Sequence, residues 1–303
     1  MRVTNSMMVK NQLDHLQKNM SDLNDLNEQL SSGKLFQMPS DAPIKVSDSM
    51  NYKSVLNKNS QYQRNLGRAE NWLNSTESAL KSGTEVIQRA RELTVYASND
   101  SMTPEDRQMV AKEFKELRDE LVDISQTKLG DDYIFSGQKT NDKPFQVVDN
   151  YDKENNPTGD YVEYMGDKKN INREINDGVK MDVNLNGDDV FKDDIETLNK
   201  IYQTLEAEDS KGKDVEKYLS NMDESINNFA EQRSKVGAKL NRVDMTKSRL
   251  ESQEVHIKEV KSENEDADLA EVITNLKMEE TVYKASLSSG ARIMQQSLVD
   301  FIR

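Results

Sequence analysis

Apolar residues recur at alternating intervals of four and three along most of this chain. Near the N-terminus the repeat runs over residues 9–30, and most of the positions between are polar or charged. Such spacing places the apolar side chains on one narrow stripe of an α-helix, the stripe that a coiled coil buries. The stripe consists of Val9, Leu13, Leu16, Met20, Leu23, Asn27 and Leu30. Asn27 is either a polar residue that fixes the register of a coiled coil or one polar residue on an ordinary surface helix.

The same spacing predicts a long helical hairpin after a break that contains two prolines. It resumes over residues 44–98, which as a helix would be ~80 Å long at 1.5 Å per residue. Thr103-Pro104-Glu105-Asp106 then has the order of an N-cap, an N1 proline and an acidic first turn. Gly130 stands where a C′ glycine would end that second helix. We therefore expect residues 44–98 and 104–129 to form an antiparallel hairpin.

Two more helices are predicted in the C-terminal third. The repeat from Val215 to Ile257 is interrupted by Arg233, Lys247 and Glu254, which would snorkel or form interhelical ion pairs. Acidic residues then favour the start of a last helix near residue 268. Its stripe consists of Leu269, Ile273, Leu276, Glu280, Tyr283, Leu287, Ala291, Met294, Leu298 and Phe301.

The segment 131–193 has a different pattern, because short β-rich runs alternate there with turn residues. We therefore expect a mainly α fold: a long-helix coiled-coil bundle with paired N- and C-terminal helices and a small β-rich insert. Its three parts would be a terminal coiled-coil domain, a long-helix bundle domain and the insert. Their predicted ranges are 1–40 with 265–303, 41–130 with 194–264, and 131–193.

Both outermost helices have an apolar stripe that a single helix leaves exposed to water. The simplest arrangement pairs the two helices antiparallel and buries the remaining edges against other subunits, so the chain has the pattern of an assembly protein. The N-terminal assembly residues would be Val9, Leu13, Leu16, Met20, Leu23 and Leu30. The C-terminal ones would be Leu276, Tyr283, Leu287, Met294, Leu298 and Phe301.

Composition and charge disfavour several function classes. The 303 residues contain 41 Lys and Arg against 55 Asp and Glu, a formal net charge of −14. An acidic chain disfavours nucleic acid, because phosphate binding needs a basic face. No apolar run reaches 18 residues, so no membrane span is expected, and the first residues lack the apolar core of a cleaved secretory signal. Only 34% of the residues are apolar, which suits long helices that bury narrow stripes better than one large core.

Candidate catalytic chemistry is scarce. The chain has no cysteine, and His15 and His256 fall on different predicted helices without the partners of a catalytic triad. We therefore expect no enzymatic activity, no catalytic residue and no cofactor.

One segment has part of a calcium-loop pattern. Asp182, Asn184 and Asn186 match the first half of such a loop, and Asp193 takes its twelfth position. The twelfth ligand of that loop is normally a bidentate Glu, and here a strand-like run precedes the segment instead of a helix. The pattern therefore favours a turn that connects strands, with a metal site only as a weak candidate.

Several segments resemble the flagellin superfamily. At the N-terminal side they are Arg2-Val3-Thr4-Asn5-Ser6-Met7-Met8, Leu30-Ser31-Ser32-Gly33-Lys34 and Pro39-Ser40-Asp41-Ala42-Pro43, and at the C-terminal side Glu265-Asp266-Ala267-Asp268-Leu269-Ala270-Glu271. Within the superfamily the chain is most similar to the hook-associated proteins of type 3, the hook–filament junction proteins. That resemblance is in Tyr133-Ile134-Phe135-Ser136-Gly137-Gln138-Lys139-Thr140, Pro144-Phe145 and Ser297-Leu298-Val299-Asp300-Phe301.

Two positions of the first loop depart from the family pattern. The family usually has two acids before the second proline, where this chain has Asp41-Ala42-Pro43, and a basic residue after the Gly-Lys pair, where it has Leu35. Contacts that the family makes through those two positions are therefore not carried over to this chain.

The resemblance implies a structural component of the bacterial flagellum that adapts the hook to the filament. Its partners would be the second hook-associated junction protein, flagellin and further copies of itself in a ring. It would be exported unfolded through the flagellar type III channel, after a cytoplasmic chaperone has bound its C-terminal helix, and would act outside the cell. Its terminal helices would fold as they assemble.

Two alternatives to the junction function remain. The chain could be a filament flagellin, or a calcium-dependent extracellular binding module centred on residues 149–193. Unaided growth of long filaments would support the first alternative, and a melting shift with calcium the second.

A charge in the C-terminal stripe tests whether that stripe is buried on assembly. We expect Leu298→Asp to abolish incorporation into the assembled structure and to leave the central part of the chain folded, because an unpaired charge in a packed seam is strongly destabilising. Incorporation is measured by co-sedimentation with filaments, and folding by circular dichroism. Normal incorporation of this variant would contradict the assignment of Leu298 to the seam.

Overall fold

The computed structural model describes the backbone of residues 5–99, 102–151, 157–207 and 211–301, and the side chains of 7–99, 102–148, 161–207 and 211–292. Seven helices lie in these ranges: α1 Asn5–Ser32, α2 Pro43–Ala97, α3 Pro104–Ser125, α4 Gly187–Glu206, α5 Gly212–Glu216, α6 Leu219–Glu265 and α7 Leu269–Phe301. The strands are β1 Lys128–Leu129, β2 Asp132–Tyr133, β3 Phe145–Tyr151, β4 Pro157–Tyr164, β5 Asn172–Asn176 and β6 Val179–Asp182. The expected fold class is confirmed: long helices, paired terminal helices and a small β-rich insert.

The chain divides into two compact units. Residues 1–58 and 253–303 form the first, here called the terminal unit, and residues 59–252 form the second, called the central unit. Helices α2 and α6 each contribute residues to both units. The β-rich residues 131–193 belong to the central unit with the long helices, and the three-part division expected from the sequence stays a prediction.

The central unit is organised by side chains that are buried every seventh residue. In α2 these residues are Asn59, Leu66, Leu73, Leu80, Ile87 and Thr94, and in α6 they are Met222, Phe229, Val236, Val243 and Leu250. A seven-residue period keeps one stripe of a helix facing its partner, which is the geometry of a coiled coil. Each large apolar side chain buried in this way stabilises the fold by about 1.5–3 kcal/mol.

Polar groups pair α2 with α6 along this stripe. Arg233 contacts Glu77 at 2.7 Å, and Lys247 contacts Glu70 at 3.2 Å. Arg233 and Lys247 therefore each form an ion pair with the facing helix, which is one of the two roles that the sequence predicted for them. Near the other end of the stripe the buried amide of Asn59 donates to the Leu250 carbonyl at 2.8 Å.

Helix α3 begins as predicted and ends earlier. Thr103 is its N-cap and forms a reciprocal capping box with Asp106, and Pro104 is the first helical residue. Arg89 of α2 contacts Glu113 of α3 at 2.7 Å, as the predicted hairpin requires. The prediction that Gly130 ends α3 is wrong: the helix ends at Ser125, and Gly130 is the left-handed residue (φ 66°) of the turn between β1 and β2.

The β-rich segment consists of three antiparallel strand pairs, β1–β2, β3–β4 and β5–β6. The run Tyr133-Ile134-Phe135, which reads as a strand, pairs only at its first residue. Its other two residues are fully buried without strand pairing. The Phe135 ring packs edge-on against Phe191 of α4 at 4.8 Å, and that ring in turn packs against Phe229 of α6 at 5.6 Å. This chain of rings joins the segment to the helices.

A glycine allows the close approach of α2 to this aromatic cluster. A Cβ at Gly83 would lie 2.6 Å from the Phe229 ring and 3.5 Å from the Phe191 ring, whereas nothing lies within 4 Å of a Cβ at Gly67 of the same helix. The two glycines therefore give a matched pair of sites.

Alanine at these glycines tests the packing. We expect Gly83→Ala to lower the free energy of unfolding by about 1–3 kcal/mol, because the added methyl overpacks the core. The control Gly67→Ala should raise it by about 0.5–1 kcal/mol through helix propensity. Urea unfolding monitored by circular dichroism measures both, and equal effects of the two substitutions would contradict the packing described here.

Candidate functional site

The terminal unit pairs α1 with α7 in antiparallel orientation. At one end of the pair, the backbone of Lys34 forms an antiparallel bridge with that of Asp266. Towards the other end, the Gln12 amide donates to the Ser286 carbonyl at 3.0 Å, and the Asn19 amide donates to the Ser286 hydroxyl at 3.2 Å. A Cβ on Gly290 would lie 3.3 Å from Cγ of Gln12. The two helices are thus held in one register by polar as well as apolar contacts.

The covered side of α1 is only partly the one that the sequence predicted. Its half-buried apolar and amide residues are Val9, Gln12, Leu16, Asn19, Leu23, Leu26, Gln29 and Leu30. Leu13 and Met20, which the stripe included, are 56% and 55% exposed. Their places in the pair with α7 are taken by Gln12 and Asn19. Leu13 and Met20 therefore lie outside the contact of α1 with α7 within one chain, and their assignment to the assembly seam stays a prediction.

The difference follows from helix geometry. Residues three and four positions after Val9 lie on opposite sides of the line that joins Val9, Leu16, Leu23 and Leu30. Helix α7 covers the side of Gln12 and Asn19, whose amides reach Ser286, and leaves the other side open. Asn27 also lies on the open side, where it donates to the Leu23 carbonyl of its own helix. It therefore does not fix the register of the α1–α7 pair.

Helix α7 shows the same division. Val272 and Leu276 are buried and Tyr283 is half-buried, whereas Leu269, Ile273 and Leu287 are exposed. Of the predicted C-terminal assembly residues, Leu276 and Tyr283 thus lie on the covered side and Leu287 on the open side. Met294, Leu298 and Phe301 lie outside the residues whose side chains the structure describes.

An exposed apolar surface therefore remains on the terminal helix pair. We call it the open apolar face and define it by Leu13 and Met20 of α1 and Leu269, Ile273 and Leu287 of α7. Single exposed apolar side chains are common on proteins, but regularly spaced ones on helices indicate a surface for another protein segment. The assignment of these residues to assembly stays a prediction.

Asp182 and Asn184, two of the four candidate calcium ligands, have other side-chain contacts. Asp182 pairs with Lys239 at 2.6 Å. Asn184 is buried, accepts from the Ile171 amide at 2.7 Å and donates to the Lys169 carbonyl at 3.2 Å. Asn186 precedes α4, and Asp193 lies within it. Asn184 thus joins the end of β6 to the segment before β5. Residues 183–186 connect a strand to helix α4, whereas the sequence predicted a turn that connects two strands.

The described residues contain neither a cluster of potential metal ligands nor a membrane-spanning helix. They contain no group of three or more His, Asp or Glu side chains arranged to hold a metal ion. His15 and His256 are both exposed. No helix in the described ranges is long and apolar enough to cross a membrane.

The segment after α3 is fixed by close backbone contacts. Gly137 has φ 66°, and a Cβ there would lie 2.1 Å from the Asp167 carbonyl oxygen. The Phe135 carbonyl accepts from the Gly187 amide at 2.9 Å and from the Tyr164 hydroxyl at 3.0 Å. The residues that carry the type 3 resemblance in this segment therefore hold the β-rich insert against the start of α4.

One buried carboxyl group was not singled out by the sequence. Asp194 of α4 is 3% exposed, and its Oδ2 has no hydrogen-bond partner among the described residues. Burial raises the pKa of Asp194 to about 6, and a hydrogen bond from Ser225 offsets part of this effect. Since the folded pKa lies above the ordinary value of 3.8, ionisation of Asp194 destabilises the fold as the pH rises from about 4 to about 6.

Neutralising this carboxyl group tests its burial. We expect Asp194→Asn to be more stable than the wild type at pH 7.5 by up to about 3 kcal/mol, and to lose that advantage at pH 4. The control is Glu206→Gln, at an exposed site of the same helix, which should change stability little at either pH. Urea titrations at the two pH values measure the difference, and a pH-independent effect of Asp194→Asn would exclude a raised pKa as its cause.

Comparisons with known proteins match both ends of the chain. The family model described as the bacterial flagellin N-terminal helical region matches residues 3–140, and the one for the C-terminal helical region matches residues 219–302. Together the two models cover more than half of the chain.

Individual relatives fall into two groups. The chain is 30% identical over 192 residues to the Escherichia coli flagellar hook-associated protein 3, an alignment of 63% of this chain and 57% of that protein. The match thus spans little more than half the length of that relative. The chain is 27% identical over 304 residues to a Listeria innocua flagellin, with 97% and 94% of the two chains covered. The crystal structure of Bacillus cereus FlgL has a TM-score of 0.57 at 23% identity, covering 70% of this chain and 99% of that one, and supports the fold.

Proposed function

Since the chain belongs to the flagellin superfamily, we propose that it is a structural component of the bacterial flagellum that joins the hook to the filament. The hook-associated relatives support the junction role over the filament role, because they are 29–30% identical over 192 residues. The flagellin matches that cover most of the chain are 24–27% identical, and the 30% match to a Proteus mirabilis flagellin spans only 128 residues. The segment after α3, which resembles the type 3 proteins, supports the same choice.

The open apolar face is the observation that supports this function most directly. Within one chain, α1 and α7 bury one side of each helix and leave Leu13, Met20, Ile273 and Leu287 in water. A further helix laid against this face would remove those side chains from water, with a gain of about 25 cal/mol per Å² of apolar area. Assembly would therefore complete a seam that a single chain leaves half formed.

The polar contacts of the pair suit such coupled folding and assembly. Gln12 and Asn19 occupy positions where a self-sufficient coiled coil would have apolar residues, and polar residues there specify register at a cost in stability. A pair of this kind is weak alone and is strengthened when copies or neighbouring proteins cover its other side. The terminal helix pair would thus be formed but weakly stable in the isolated chain, and assembly would stabilise it.

The partners would be the other axial proteins of the flagellum. We infer contacts with the second hook-associated junction protein on one side and flagellin on the other, and with further copies of this chain in a ring. A cytoplasmic chaperone would bind α7 before export, and the assembled protein would lie outside the cell. The role is structural and involves no catalysis.

A filament flagellin is the second candidate, because the match to the Listeria innocua flagellin covers almost the whole chain. The two functions predict different behaviour of the purified protein. A filament protein grows long filaments by itself, whereas a junction protein adds a short segment to an existing hook. Electron microscopy of the concentrated protein, with and without hooks, distinguishes them.

Charges on the open apolar face test the assembly role. We expect Leu13→Glu with Met20→Glu to leave the dilute protein folded, because both side chains are exposed in a single chain, and to prevent its addition to hooks. Gln17→Glu, an exposed polar site on the same helix, is the control and should add normally. Melting by circular dichroism checks folding, and negative-stain microscopy with labelled protein checks addition. Normal addition of the double variant would show that the open apolar face is not an assembly surface.

A further inference from the structure

One carboxylate in the terminal unit is almost completely buried. Glu265 is the last residue of α6, and its side chain is 2% exposed. Three ammonium groups contact it: Lys261 at 3.0 Å, Lys34 at 3.2 Å and Lys53 at 3.4 Å. The Ser49 hydroxyl also donates to it. A single carboxylate thus receives groups from α2, α6 and the loop after α1.

Backbone hydrogen bonds at and beside Glu265 connect the residues that follow α1 to those that precede α7. The Leu35 amide donates to the Glu265 carbonyl at 2.8 Å, and the Ala267 amide donates to the Gly33 carbonyl at 2.9 Å. One residue earlier, the Asn264 side chain donates to the Lys45 carbonyl of α2 at 2.8 Å. The residue that ends α6 therefore sits between the last residues of α1 and the first residues of α7.

The charges in this cluster are unequal in their access to water. The three lysine side chains are partly exposed and can be hydrated when they lose a partner, whereas the buried carboxylate cannot. Burial acts to raise the pKa of the Glu265 carboxyl, but hydrogen bonds from Lys261 and Lys34 outweigh it and hold that pKa below its ordinary value. Glu265 is therefore the shared centre of the cluster, and each lysine is one of several contacts to it.

We propose that Glu265 is a positioning residue that fixes the register of the α1–α7 pair. The bridge between Lys34 and Asp266 starts the antiparallel pairing beside it, and the Gln12–Ser286 hydrogen bond lies about equally far along α1 and α7 from that bridge. Two helices with the same rise per residue stay in step from a fixed starting point. A slip at the Glu265 end would therefore separate Gln12 and Asn19 from Ser286 and would move the open apolar face.

This inference deepens the proposed function in one respect: we take the register to be what assembly requires. The register itself is a property of the isolated chain and is measurable without any flagellar partner. The two parts of the proposal can therefore fail separately.

Glu265→Gln, in the full-length chain, removes the charge and keeps the shape of the side chain. We expect amide hydrogen exchange in residues 9–30 and 269–290 to become at least about tenfold faster, because charge-assisted hydrogen bonds at a buried site are lost. Exchange in residues 59–252 should not change. The control is Glu263→Gln, an exposed site two residues away, which should leave both regions unchanged.

The rate at which an engineered disulfide forms between α1 and α7 is a second measurement, and it reports the register of the two helices. The chain has no cysteine, and Gln12 lies close to Gly290, so Gln12→Cys with Gly290→Cys places one unique pair across the helices. We expect this pair to oxidise at least about tenfold more slowly when Glu265→Gln is present. Once formed, the bond should restore slow exchange and addition to hooks to the Glu265→Gln protein, because it replaces the lost register contact.

The outcomes separate the two proposals. If Glu265→Gln leaves exchange and the oxidation rate unchanged, or if Lys34→Gln with Lys53→Gln has no effect in the same direction, Glu265 does not set the register. If the register is lost and hooks still accept the variant, the register is not needed for assembly and this inference is overturned, while the proposed function stands. If even the wild-type protein fails to add to hooks, the proposed function is wrong, and the exchange data still decide the role of Glu265.

Discussion

The packing of α2 against α6 at intervals of seven residues fixes the geometry on which the other elements of the central unit depend. Leu66, Leu73 and Leu80 on one helix, with Phe229 and Val236 on the other, are fully buried or nearly so. The same two helices continue into the terminal unit, where α2 supplies Ser49 and Lys53 and α6 supplies Glu265. The heptad packing of α2 and α6 belongs to the central unit, and the cluster around Glu265 belongs to the terminal unit.

The pair of α1 and α7 also has contacts repeated every seven residues, but more of these contacts are polar. In the central unit the repeating positions are almost all apolar, and polar Asn59 and Thr94 lie only towards the ends of the buried stripe of α2. In the pair of α1 and α7, Gln12, Asn19 and Ser286 form polar contacts between the helices, and apolar residues remain in water. The first arrangement gives a stable core, whereas the second gives a weaker pair with a free surface. A stable central unit with a weaker terminal helix pair suits a protein whose terminal helices are completed by binding another protein.

Much of this architecture follows from the sequence alone. The spacing of apolar residues located α2 to within one residue at each end, and Thr103 with Pro104 and Asp106 identified the start of α3. Arg233 and Lys247 interrupt a stripe because each has an acidic partner on the facing helix. In all these cases the cause is local, or it repeats along one helix, and a sequence pattern records it.

The features that the sequence did not reveal depend on which side of a helix is covered. Leu13 and Gln12 lie on either side of the same line, and only the position of α7 decides between them. The spacing of Gln12 and Asn19, seven residues apart on the side towards Leu26, was the available signal. The convergence of Lys34, Lys53 and Lys261 on Glu265 joins residues up to 231 positions apart, so no local pattern marks it. Gly130 resembled a helix end because a hairpin turn needs the same left-handed residue.

Limited proteolysis of the dilute protein, followed by mass spectrometry, tests the central claim that the terminal helices are incomplete until assembly. The account predicts that residues 5–32 and 269–301 are cut first, that a core close to residues 59–252 survives, and that assembly on hooks protects the terminal segments. A dilute chain whose terminal helices resist cleavage as long as the central unit does would contradict it, because the α1–α7 pair would then be stable without any partner.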